Sequence, residues 1–109
     1  MVNDNDSLVV TDWMVKELKL KGTELMIYAI IYGFCKSEGC CRASLAYLGD
    51  WTGTSKSTVI EVINELIKKQ LIVKEETEVN GETFNKYIVN DKVSKLFNKD
   101  KYLNSRLSY

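Results

Sequence analysis

Histidine is absent from this chain of 109 residues. With it goes the side chain most often used as a general base near neutral pH and as a metal ligand. Cysteine is scarce as well: Cys35, Cys40 and Cys41 are odd in number, and two of them are adjacent. That is a poor disulfide framework and points to a reducing cytoplasm. No second cysteine pair stands at ligand spacing, so the pattern predicts buried thiols and no metal site. No phosphate-binding glycine loop is present, and the carboxylates are scattered among lysines. The sequence therefore predicts no enzyme and no cofactor.

Long apolar runs are missing too. The longest, residues 25–35, falls well short of the roughly 18 residues of a membrane span and suits a buried helix. The first residues, MVNDNDS, are polar and acidic, unlike a secretory leader. Net charge is also lacking, with 15 basic against 15 acidic side chains, which argues against indiscriminate nucleic-acid binding. The charge is unevenly spread. Residues 54–74 carry four lysines and two glutamates, residues 75–90 one lysine and four glutamates, and residues 91–109 five basic side chains and two aspartates. Any DNA-binding surface has to be local.

What is present is enough apolar content, 45% hydrophobic, to fold as one domain spanning residues 1–109. Its centre of organisation is the stretch SKSTVIEVINELIKKQLI, residues 55–72. Ser55 is suited to cap a helix. Val59, Val62, Ile63 and Leu66 fall in one arc at helical spacing, with Ile60 and Ile67 on its shoulder. Ser57, Glu61, Asn64 and Lys68 lie on the opposite, polar stripe.

Along the chain, residues 7–11 (SLVVT) read as an edge strand. Asp12 is placed to cap a short helix over residues 13–18, with Trp13, Met14 and Leu18 turned inward and Leu20 and Gly22 ending the unit. Thr23 opens the most apolar helix, ELMIYAIIYGFCK, in which Tyr28 and Tyr32 read as core. A turn follows at residues 37–39, then a very short strand at residues 40–43. Ser44 caps a second helix, LAYLGDWTG, weakened locally by Gly49 and broken at Gly53 and Thr54. A short helix, a tight glycine-containing turn and an amphipathic helix with a polar N-terminal face form the helix-turn-helix pattern. Residues 71–77 and 83–89 then read as strands around Asn80-Gly81, a strong hairpin signal. The expected class is mainly α with a small β-hairpin wing, a winged helix-turn-helix over about residues 8–91. The tail, residues 92–109, reads as one more helix with a frayed end or as a dimerisation segment; the N-terminal strand and helix are a second candidate dimer element.

The strings LKGTELMIYAIIYGF, SLAYLGDWTGTSKSTVIEVINELIKKQLIVKEE and NGETFNKYIVN resemble the winged-helix domain of bacterial, phage and mobile-element replication proteins, the replisome organisers and primosomal proteins of the DnaD type. The resemblance implies that the Ser55 helix enters the major groove of double-stranded DNA while the wing touches the neighbouring backbone. In that pose Thr54, Ser55, Lys56 and Thr58 would meet phosphate. Ser57, Glu61 and Asn64 would face base edges. Lys68 or Lys69 would reach phosphate further along, and Lys74, Asn80, Thr83 and Lys86 would serve as wing donors. A homodimer or a replication-complex partner would supply the affinity that few cationic contacts cannot. Three functions remain open on the residues alone. They are DNA binding in replication initiation, transcriptional regulation by the same fold, and a winged helix that binds protein instead of DNA.

Overall fold

The central element is a helix that is apolar nearly all round. In the computed structural model, which describes residues 8–90, α2 (Gly22–Glu38) buries Ile27, Tyr28, Ala29, Ile30, Ile31 and Tyr32 in succession. Six consecutive buried positions cover every direction around a helix, so neighbours must pack on all sides. On one side lies α1 (Asp12–Lys16), whose Trp13 meets Tyr28 and Tyr32 edge-on at 6.2 and 5.2 Å between ring centres. Tyr28 and Tyr32 are themselves stacked at 6.3 Å, so the aromatic pair belongs to the core. Burial, helped by Tyr32 alongside, pushes the Tyr28 phenol far above its ordinary value. The helix ends at Gly39, which takes the left-handed conformation (φ 87°) and returns its N–H to the Cys35 carbonyl.

Two shorter helices close the other side: α3 (Leu45–Thr52), burying Leu48 and Gly49, and α4 (Lys56–Lys68), burying Val59, Ile63 and Leu66. The strands β1 (Ile72–Val79) and β2 (Glu82–Val89) form a two-stranded antiparallel sheet, with Ile72 opposite Val89 and Val79 opposite Glu82. Asn80 (φ 53°) and Gly81 (φ 81°) make the two-residue turn, whose left-handed backbone matches the twist of the strands. At the root of the hairpin Cys41 forms a bridge with Tyr87, both N–H···O distances being 2.8 Å. Of the very short strand expected at residues 40–43, only Cys41 pairs, as an isolated bridge. The arrangement is a mainly helical winged helix-turn-helix.

The N-terminal expectations need correction. Residues 8–11 form no strand; Val9 and Val10 are exposed, and β-branched residues without a partner edge have no ladder to join. The edge of β2 nearest the body is already taken by Cys41 at Tyr87. Thr11, not Asp12, holds the N-cap position of α1 and makes no side-chain cap bond. That helix stops at Lys16, and the chain reverses at Lys19 (φ 60°). Gly22 opens α2 instead of ending the unit before it, and α2 runs through Ser37 and Glu38, expected as turn. The tail reading, residues 92–109, lies outside the described residues.

Two predictions come from the packing. A Cβ built on Gly49 would stand 2.8 Å from the Thr54 carbonyl oxygen, whereas one on Gly33 of α2 meets nothing within 4 Å. Helix propensity favours alanine at both by about 1 kcal/mol, but overpacking against backbone costs about 1–3 kcal/mol. Gly33→Ala should therefore raise the urea midpoint and Gly49→Ala should lower it; the same sign for both would refute the contact. Burial also pushes the Cys41 thiol up from 9.0 to about 11. Between those values the folded state keeps a proton that the unfolded chain releases, so this group's stabilisation is complete below pH 9 and falls as pH rises towards 11. Urea midpoints at pH 8 and 10.5 should differ less in Cys41→Ala than in the parent chain.

Candidate nucleic-acid interface

The turn between α3 and α4 fixes where α4 points. Gly53 (φ 67°) ends α3, and its N–H donates to the Gly49 carbonyl. The Thr54 N–H bonds the same carbonyl at 3.1 Å. Thr54 and Thr52 share a hydroxyl bond of 2.7 Å, and Thr52 also donates to Leu48 O at 3.0 Å. Ser55 then caps α4, accepting the Thr58 N–H on Oγ at 3.2 Å and donating to Thr58 Oγ1 at 3.2 Å. The hydroxyls of Thr54, Ser55 and Thr58 are therefore engaged in building the helix start. Lys56 and Ser57 are exposed beside it.

The outward face of α4 carries Ser57, Ile60, Glu61, Asn64 and Lys68, all exposed. Burial of Val59, Ile63 and Leu66 on the other side forces this orientation. Ile60 was expected on the shoulder of the apolar arc, yet 44% of it is exposed. One lysine stands near each end of the face, with Glu61 in between. Lys69 turns away to grip Glu24 of α2 with Nζ–O distances of 3.0 and 2.9 Å, while Lys68 stands exposed on the outward face of the last turn. The helix closes at Gln70 (φ 63°), an uncommon conformation for glutamine. Asn90 secures it by donating its side-chain amide to the Gln70 carbonyl at 2.8 Å.

The wing is less uniform. The strand register puts Lys74 and Thr83 on the hairpin face that carries Tyr87 and Val89, while Lys86 lies on the other face. The four wing donors are thus not brought to one surface. Lys86 pairs with Glu75 across the strands at 3.4 Å, and Lys74 lies 3.6 Å from Glu76. Glu78, Glu82, Asn80, Gly81 and Thr83 are exposed towards the tip. The face of Lys86 also shows Val73, Val79 and Phe84, each about half exposed. Strand alternation in the sequence contains that apolar stripe, but the acidic residues between its members obscured it.

Among the described residues no group of three or more histidine, cysteine, aspartate or glutamate side chains could hold a metal ion. No helix among them is long and apolar enough to cross a membrane.

Comparison with known proteins gives a match of residues 18–72 to a helix-turn-helix domain family. This span runs from the approach to α2 through α4 to the first residue of β1. Among solved structures, the chain is similar to Stf76 from the Sulfolobus islandicus plasmid-virus pSSVx. That similarity has a TM-score of 0.44 and 20% sequence identity, and covers 72% of this chain and 96% of that one. No curated protein matches the chain.

Removing the Ser55 hydroxyl leaves the Thr58 N–H without its acceptor. Ser55→Ala should lower stability by about 1 kcal/mol, and Ser55→Asp, also a good cap, should restore most of it. Chemical denaturation followed by circular dichroism checks this; equal stability of Ser55→Ala and the parent would show that the cap contributes nothing.

Proposed function

The chain belongs to the helix-turn-helix domain family, and from that premise we propose that it is a double-stranded DNA-binding protein that reads the major groove with α4. The observation that carries the proposal is the exposed polar face of α4, running from Ser57 through Glu61 and Asn64 to Lys68. Such a helix fits a groove about 12 Å wide. Its start offers open N–H groups, the positive end of the helix dipole and Lys56 to a phosphate, framed by the Thr54, Ser55 and Thr58 hydroxyls. Lys68 would contact phosphate at the far end. Asn64 has the donor–acceptor pair that matches adenine, Glu61 can accept from the amino group of cytosine, and Ser57 suits either. On the wing, Asn80 and Thr83 would approach backbone, and Lys74 and Lys86 would do so on leaving their glutamate partners.

The resemblance of the three quoted strings supports a place in the replication initiation of a phage, plasmid or other mobile element, acting in the cytoplasm. So few cations bind weakly at physiological salt, which favours a homodimer or a larger replication complex on two half-sites. A second reading, a winged helix that binds protein, is favoured by one observation. Glu75 and Glu82 share one face of the wing with a half-exposed apolar stripe of Val73, Val79 and Phe84.

The two readings separate in one titration. Fluorescence anisotropy of random duplexes and of the gene's own upstream region, from about 50 to 200 mM salt, should give saturable binding. The logarithmic salt slope should be about −2 to −4. Lys56→Ala should make that slope shallower by about one on every duplex. Asn64→Ala should cost about 1–3 kcal/mol on the preferred duplex and little on random sequence. Absence of binding at the lowest salt would overturn the DNA reading in favour of the protein partner.

A further inference from the structure

Ile60 is the one apolar side chain on the outward face of α4, 44% exposed, between Ser57 one turn before it and Asn64 one turn after it. The core does not require it, since Val59, Ile63 and Leu66 already fill the inward side. Helix propensity does not favour it either. A β-branched residue is a poorer helix former than lysine, glutamate or alanine, and an exposed one gains little from burial in return. Its surroundings match one kind of surface. Lys56 and Lys68 lie near the two ends of the same helix, suited to the two phosphate backbones that border a groove. Between them stand Ser57, Glu61, Asn64 and this single hydrocarbon.

In the major groove, thymine alone among the four bases presents a methyl group, and apolar side chains read it by contact. We propose that Ile60 is a specificity residue whose side chain covers the C5-methyl of a thymine. The proposal rests on the reading of α4 as the major-groove helix and deepens it. Ile60 and Asn64 are four residues apart, about 6 Å along the helix axis. Base pairs stack about 3.4 Å apart. The thymine therefore lies one or two base pairs from the adenine that Asn64 reads, and the preferred site holds two A·T pairs at that spacing. Glu61, on the neighbouring row of the helix, faces a different position and does not compete for the methyl.

The test alters the DNA, so it does not depend on a variant folding. The parent protein is used to select duplexes from a random pool. Each thymine of the selected site is then replaced in turn by deoxyuridine, which deletes the methyl and nothing else. One replacement should weaken binding by about fourfold, the loss expected for one buried hydrocarbon group. Ile60→Ala, checked for an unchanged melting temperature, should bind the parent duplex more weakly and be indifferent to that replacement. A selected site with no methyl-sensitive thymine, or one to which Ile60→Ala is equally sensitive, overturns the role of Ile60 while leaving α4 as the reader. No DNA binding under any condition overturns both readings. A fall in solution mass in Ile60→Ala without a change in DNA binding assigns the side chain to a protein contact instead.

Discussion

The distance between Gly49 and the carbonyl of Thr54 is the constraint on which the candidate interface depends. The turn from α3 to α4 folds back until only a hydrogen atom fits between them. The Gly49 carbonyl in turn receives the N–H groups of Gly53 and Thr54. Three consequences follow from that one close approach. The backbone groups at the end of α3 are satisfied, Ser55 arrives where its hydroxyl caps α4, and Val59 lies against the turn it has just left. The angle between the helices is set by backbone contact, which is stiffer than contact between side chains. The exposed polar face of α4 is therefore held by a stiff part of the molecule.

Much of this was legible in the sequence, for identifiable reasons. The caps at Ser44 and Ser55, the apolar arc of α4 and the Asn80-Gly81 turn are local signals, each decided by residues within a few positions of one another. Much of what was missed depends on contacts made between elements. Gly49 read as a weak point in a helix because its reason for being glycine lies five residues away across a turn. The strand expected at residues 7–11 had the right composition, yet residues 8–11 pair with neither strand of the hairpin, and the place beside Tyr87 on β2 goes to Cys41. Lys69 looked equivalent to Lys68 until Glu24, at the start of α2, was seen to hold it. Within the site, the exposed polar row of α4 was expected from periodicity. The exposure of Ile60 was not, because its angle on the helix lies at the boundary where small tilts decide between core and solvent.

The charge on the two halves of the candidate interface is distributed differently. On α4 the cations Lys56 and Lys68 are exposed and near opposite ends, while on the wing each lysine sits beside a glutamate. Surface pairs of this kind contribute little to stability, yet they cancel the field that a polyanion would meet. The positive field of α4 is therefore left open to solvent, while that of the hairpin is largely cancelled. The hairpin's lower half belongs to the core through Ile72, Tyr87 and Val89, so it serves folding whether or not its tip meets a ligand.

The Cys41–Tyr87 bridge also makes the hairpin a lever. Beyond it, residues 75–84 have every side chain in solvent, while the root is fixed by two short hydrogen bonds. From Tyr87 to the turn is about 20 Å at the rise of an extended strand. A rotation of about 10° at the root would sweep the tip through roughly 3.5 Å, the height of one base pair. A displacement of the tip reaches the helix pair by two backbone routes, since β1 follows α4 directly through residues 69–71 and the bridged Cys41 leads into Ser44 and α3. A load on the wing would be felt at the end of α4 and at the start of α3 together, which couples whatever the tip touches to the tilt of α4.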